Sequence, residues 1–258
     1  MSLVFNSNKV RYDGTFEGLL SVVFASYEYK VDVVAIHEPN EQMGLFANDF
    51  WQINTDESKA KRVLFAIQKK FGVKECRALY RVFLSEDSHR AIMLFRYIKR
   101  LIDHEKDYRK AYHLDEVIYV KEQLKKIRRE VHRMHAFVRF QQSRDDLYFS
   151  VIEPDFDVIP FIGNHFEKRY GDQRWLIFDK KRSYGIAFDL KSIAYFSWTD
   201  DVFGKQLKNI LADSEEEYAS WWRSYFSATN IKERKNMKLH LRHVPKRYWK
   251  YLTEKQEH

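Results

Sequence analysis

Residues 114–141, LDEVIYVKEQLKKIRREVHRMHAFVRFQ, change their period part-way along. From Leu114 to Met134 the apolar positions Val117, Val120, Leu124, Ile127, Val131 and Met134 recur every three or four residues, the stripe of a long helix with one face in a core. From Ala136 to Gln141 the period is two. Ala136, Val138 and Phe140 share one face while Phe137, Arg139 and Gln141 share the other, as in a strand. A helix that hands over to strands predicts an α+β protein.

Upstream of this stretch the patterns are mainly helical. Asp13 or Thr15 can cap a helix whose apolar face is Phe16, Leu19, Leu20, Val23, Phe24 and Tyr27. Val31–Ile36 reads as extended, and Phe50–Ile53 as a short strand. Thr55 or Asp56 opens a helix that runs to Phe71 and closes at Gly72. Two further helical patterns cover 74–84 and 88–104. Downstream, Leu147–Ile152, Arg174–Phe178, Tyr184–Phe188 and Ile193–Trp198 read as strands. Asp179-Lys180-Lys181-Arg182-Ser183 reads as a hairpin turn that favours antiparallel pairing, and Ser214 starts one more helix. The expectation is a helical N-terminal lobe, residues 1–112, packed on a small antiparallel sheet flanked by helices, residues 113–258, with a basic tail. No linker composition separates the two, so they can form one compact domain.

At 258 residues the chain is long enough for a substantial core. It holds 8 glycines and 4 prolines with 45% apolar residues, a packed composition and not a disordered one. No apolar run approaches the roughly 18 residues of a membrane span, and residues 1–9 lack the pattern of a signal peptide. The one cysteine, Cys76, excludes an internal disulfide and reads as a buried structural thiol. The expected location is the cytoplasm.

The net charge of +8 is unevenly spread. Residues 73–142 carry 17 Lys+Arg against 10 Asp+Glu, and residues 230–258 carry 9 against 3. Residues 1–72 (8 against 9) and 143–229 (11 against 15) are neutral to acidic. Concentrated positive charge attracts polyanions such as nucleic acid or anionic lipid, although basic helix faces are more commonly plain solvated surface. On the long helix Lys121, Lys125, Arg128 and His132 share a face, with Arg129 and Arg133 beside them, a spacing that can follow a phosphate backbone. Pro245-Lys246-Arg247-Tyr248-Trp249-Lys250-Tyr251 interleaves cations with aromatics, so that a cation can hold a phosphate while a ring stacks on a base. The same rings can equally dock on a core. Arg139, exposed beside Phe137 on a sheet, would suit a single strand, and Arg174 next to Trp175 reads the same two ways, as does Trp221-Trp222.

Signals for chemistry are sparse. His132-x-x-His135 and His240-x-x-His243 have helical metal-ligand spacing, but neither has a third ligand in a recognised pattern. There is no Walker A loop, G-x-S-x-G or H-E-x-x-H. Neither a metal nor a cofactor is implied. If the protein is an enzyme, His132, Glu153 and His165 are the acid–base candidates, with a target nucleotide extruded into a pocket.

Four segments together resemble a bacterial family described as a probable DNA metabolism protein, a domain of unknown function. They are Tyr12-Asp13-Gly14-Thr15-Phe16-Glu17-Gly18, His132-Arg133-Met134-His135-Ala136-Phe137-Val138-Arg139-Phe140, Arg174-Trp175 and Pro245-Lys246-Arg247-Tyr248-Trp249-Lys250. The resemblance runs nearly end to end. It implies association with a radical-SAM protein acting in DNA repair or modification, and in some bacteria fusion to a uracil-DNA glycosylase-like domain. It brings no established catalytic residues. A radical-SAM cluster takes three thiolates, which one cysteine cannot supply, so the cluster belongs to the partner. Three functions are thus expected, in this order: a DNA-binding accessory protein of repair or modification, an enzyme acting on a nucleobase or phosphodiester, and a protein-interaction adaptor that does not touch nucleic acid.

Overall fold

The computed structural model describes residues 8–39, 50–104, 107–142, 146–197 and 244–252. It confirms the α+β class, and it divides the chain into two units, Met1–Arg128 and Arg129–His258.

In the first unit three short strands, β1 (Lys9–Arg11), β2 (Ala35–His37) and β3 (Trp51–Gln52), form a parallel sheet with β1 in the middle. A chain that crosses over through a helix before returning to the sheet pairs parallel. That crossover is α1 (Phe16–Glu28), and β3 leads into α2 (Glu57–Phe71). The extended segment expected over 31–36 is a strand only in its last two residues and His37. Thr15 caps α1 by accepting from Gly18 N at 2.9 Å, and Asp56 caps α2 by accepting from the backbone N–H of Ser58 and Lys59. Then come α3 (Val73–Phe83), α4 (Arg90–Asp103) and α5 (Asp115–Phe137). One core joins Leu19, Leu20, Ile67, Leu79, Leu94, Ile98, Val117 and Val120.

The Asp13-Gly14-Thr15-Phe16-Glu17-Gly18 run has a structural explanation. Asp13 accepts from Thr15 N (2.9 Å), Thr15 Oγ1 (2.7 Å) and Thr55 Oγ1, so one carboxylate ties the β1–α1 turn to the β3–α2 turn. Gly14 has φ +81°, and a Cβ on Gly18 would stand 2.1 Å from Asp13 Oδ1.

In the second unit the long helix outruns its expected end. Ala136 and Phe137 are helical, Val138 N still donates to Met134 O (3.1 Å), and Arg139 Nη1 donates to the carbonyls of Ala136 (2.7 Å) and Val138 (3.3 Å). Met134 and Val138 are buried four residues apart, so the short alternation served a helix turn as well as a strand. What remains of the strand is β4 (Gln141–Gln142). It is followed by β5 (Tyr148–Ile152), α6 (Ile159–Arg169), β6 (Trp175–Asp179), β7 (Tyr184–Phe188) and β8 (Ile193–Ser197) in the order β4-β5-β6-β7-β8.

The antiparallel expectation holds for β4–β5, β6–β7 and β7–β8, and the hairpin turn 179–183 lies between β6 and β7. It fails for β5–β6, which is parallel. The cause is α6, a helix absent from the sequence reading, which carries the chain back to start β6 alongside β5. Its signal was there in Ile159, Ile162 and Phe166, with Pro160 in the first turn. The core under this sheet joins Met134, Ile159, Ile162, Phe166, Trp175, Ile177, Ile186, Phe188 and Tyr248. The helix expected from Ser214 lies outside the described residues.

Candidate functional site

The C-terminal aromatic–cation run is a 3-10 helix, Lys246–Tyr251, anchored on a carboxylate from α5. Glu130 is 1% exposed, and a buried charge must be paired. Tyr248 OH donates to Glu130 Oε1, Asp155 N donates to it at 3.0 Å, and Arg133 (3.4 Å) and Arg247 (3.3 Å) flank Oε2. Burial and then the hydrogen bond to Glu130 push the Tyr248 phenol well above its ordinary range. Arg247 also reaches Asp155 Oδ2 at 2.8 Å and lies over the Tyr248 ring at 4.5 Å. Lys250 pairs with Glu153, and Trp249 Nε1 donates to Val244 O at 3.0 Å.

A second network holds the loop between β5 and α6 from the other side. Asp179, fully buried at the end of β6, accepts from Lys181 N (3.0 Å), Arg182 N (3.3 Å) and Arg182 Nη1 (2.7 Å). Arg182 passes the tie on, donating to the carbonyls of Pro154 (3.3 Å) and Asp155 (3.2 Å). Burial raises the Asp179 carboxyl despite Arg182 beside it.

Between these networks lies an open cleft of about 500 Å³ lined by Glu153, Pro154, Asp155, Lys181, Lys246, Arg247 and Lys250. Three chain segments build it: the end of β5, the β6–β7 turn and the terminal 3-10 helix. Four cations stand against two carboxylates, leaving +2. Burial would raise Glu153, but Lys250 and Tyr251 hydrogen-bond it and hold it below the usual carboxylate range. It is therefore ionised at neutral pH and unsuited to donate a proton.

The remaining expected residues fall in several environments. On α5, Lys125, Arg128, Arg129 and His132 are exposed and Lys121 is half-buried. Arg133 is committed to Glu130, and Arg139 caps the end of α5. Arg174 is exposed at the start of β6. Trp175 is a correction: it is fully buried, stacked on Phe188 at 5.5 Å, and no base can reach it. Tyr248, 2% exposed, is likewise a core residue and not a stacking platform.

His135, between the two histidine candidates, stacks on His165 with centroids 4.0 Å apart and planes 12° from parallel. Burial, then His165 and His132, pull His135 down to about 4. Burial and Arg169 lower His165. Among the described residues no group of three acidic, histidine or cysteine side chains is arranged to hold a metal. His240, His243, Trp221 and Trp222 lie outside them. The cleft that contains Glu153 is lined by neither His132 nor His165, so the three acid–base candidates do not share it.

The family model of a domain of unknown function, DUF4130, matches residues 88–254, from α4 through the 3-10 helix, and so spans every segment that lines the cleft. The chain belongs to the DUF4130 family. Among curated proteins none matches it. In this DUF4130 chain the sequence reading had named Lys246 and Arg247, and Lys250 within the same motif, but missed Lys181, Asp155 and the anchoring Glu130. The run Lys180-Lys181-Arg182 in a turn was the available signal. For Glu130 the signal was its place three residues after Ile127 and four before Met134, at the edge of the apolar stripe.

No helix among the described residues is long and apolar enough to cross a membrane.

Proposed function

We propose that the chain is a DNA-binding accessory protein of DNA repair or modification, working with a radical-SAM partner. The observation that carries the binding reading is the convergence of Lys181, Lys246, Arg247 and Lys250 on one cleft. Exposed Lys125, Arg128 and Arg129 on α5 add further positive surface. Arg247 and Lys250 are already held by neighbouring carboxylates and so lose little freedom when they meet phosphate, and each contact releases counterions. The partner and the pathway rest on the resemblance of the sequence motifs alone.

The test is fluorescence anisotropy with labelled single-stranded DNA, duplex DNA and RNA across a salt series. DNA should bind with an affinity that falls steeply as salt rises. Lys181→Glu with Lys246→Glu should weaken it roughly tenfold at low salt. Both side chains are exposed and neither touches Glu130, so the double variant should melt like the wild type. No binding at low salt would overturn the reading, and tight capture of a radical-SAM protein by the same sample would then make the chain an adaptor.

A further inference from the structure

We propose that the cleft takes a phosphomonoester, the terminal phosphate of a nucleic-acid strand, rather than the internal phosphodiesters of a backbone; this rests on the nucleic-acid reading above. The first argument is charge. Glu130 is balanced by Arg133 beneath the cleft, so the charge of Arg247 counts toward the cavity. Lys181, Lys246, Arg247 and Lys250 against Glu153 and Asp155 then leave +2. A phosphodiester carries one negative charge, whereas a phosphomonoester carries about −2 above its second pKa near 6. One monoester neutralises the cavity by itself, where a backbone would have to bring two successive phosphates into it.

The second argument is competition. Arg247 already holds Asp155 and Lys250 already holds Glu153. An incoming monoanion offers these cations no more charge than the carboxylates they hold. A dianion with three terminal oxygens can be shared among several cations while Glu153 and Asp155 keep part of their pairing. The third argument is shape. The cleft is open, and its volume of about 500 Å³ has room for a nucleotide-sized group against the charged wall. Its walls are also fixed: the backbone N–H of Lys181 is held by Asp179, and the Arg247 guanidinium by Tyr248 OH at 2.8 Å.

The full chain is titrated with one single-stranded DNA sequence in three forms, 5′-phosphorylated, 3′-phosphorylated and unphosphorylated, and separately with a nucleoside 5′-monophosphate. One phosphorylated end should bind about tenfold tighter than the unphosphorylated strand, and Lys181→Ala with Lys246→Ala should abolish that advantage while melting like the wild type. Equal affinity for all three strands, or an advantage the variant retains, overturns the inference and leaves DNA binding standing. Binding of the monophosphate without any strand overturns the nucleic-acid reading but upholds a phosphomonoester site. Binding of nothing overturns both.

Discussion

Tyr248 and Lys250 sit two residues apart in the same basic motif and differ sharply in energetic weight. The Tyr248 hydroxyl serves a carboxylate that solvent does not reach, so Tyr248→Phe should lower stability by about 1.5–3 kcal/mol in a denaturant melt. Lys250 is 55% exposed, and Lys250→Ala should cost less than about 1 kcal/mol. A motif of alternating cations and rings is the same string of letters whether the rings face a base or a core. Its cations were correctly placed on the surface, but Tyr248 was not, because its partner lies 118 positions away. Trp175 failed because its ring faces the core under the sheet, stacked on Phe188 of β7, and not solvent. The stacked histidines give a pH signature. His135 is held at about 4 in the fold against 6.5 when free. Between those values the unfolded chain binds a proton that the folded chain does not, so stability falls as the pH drops through that window. Discounted for solvent at the half-buried ring, the loss is on the order of 1 kcal/mol. Thermal melts from pH 7 to pH 4 should show a flatter decline in His135→Phe than in the wild type.

At the scale of elements, helices with strong caps were legible and strand neighbours were not. Asp56 and Gly72 bracket α2 as expected, since a cap is a local bond between residues close in sequence. The direction of β6 relative to β5 depends on whether a helix intervenes, and α6 was overlooked because its apolar positions were mixed with Gly163, Asn164 and His165. Gly185 shows how tightly the resulting sheet is built. A Cβ there would lie 2.2 Å from Ile177 O on β6 and 2.8 Å from the Phe196 ring on β8. Gly185→Ala should cost at least about 2–3 kcal/mol by denaturant melt, since the nearest obstacle is backbone and cannot swing away. A cost below 1 kcal/mol would mean that the β6–β7–β8 register is wrong.

For the whole molecule, the charge pattern was the most informative reading of the sequence. The excess in residues 73–142 and 230–258 reappears as exposed cations on α5 and as three of the four cations of the cleft. The fourth, Lys181, comes from an acidic segment, so regional totals could not find it. If DNA binds, the slope of log affinity against log salt should shrink by roughly 0.7–0.9 for each cleft cation removed. The docked 3-10 helix has one more consequence, for synthesis. Glu130 is made 118 residues before Tyr248, so the nascent chain must carry it through that whole interval without the hydroxyl that pairs with it. A nascent chain therefore carries a half-finished second unit, in which Glu130 has Arg133 and Asp155 N but not yet Tyr248 and Arg247. It locks only when residues 246–251 arrive, so a ribosome stalled before them should leave a product that proteases remove.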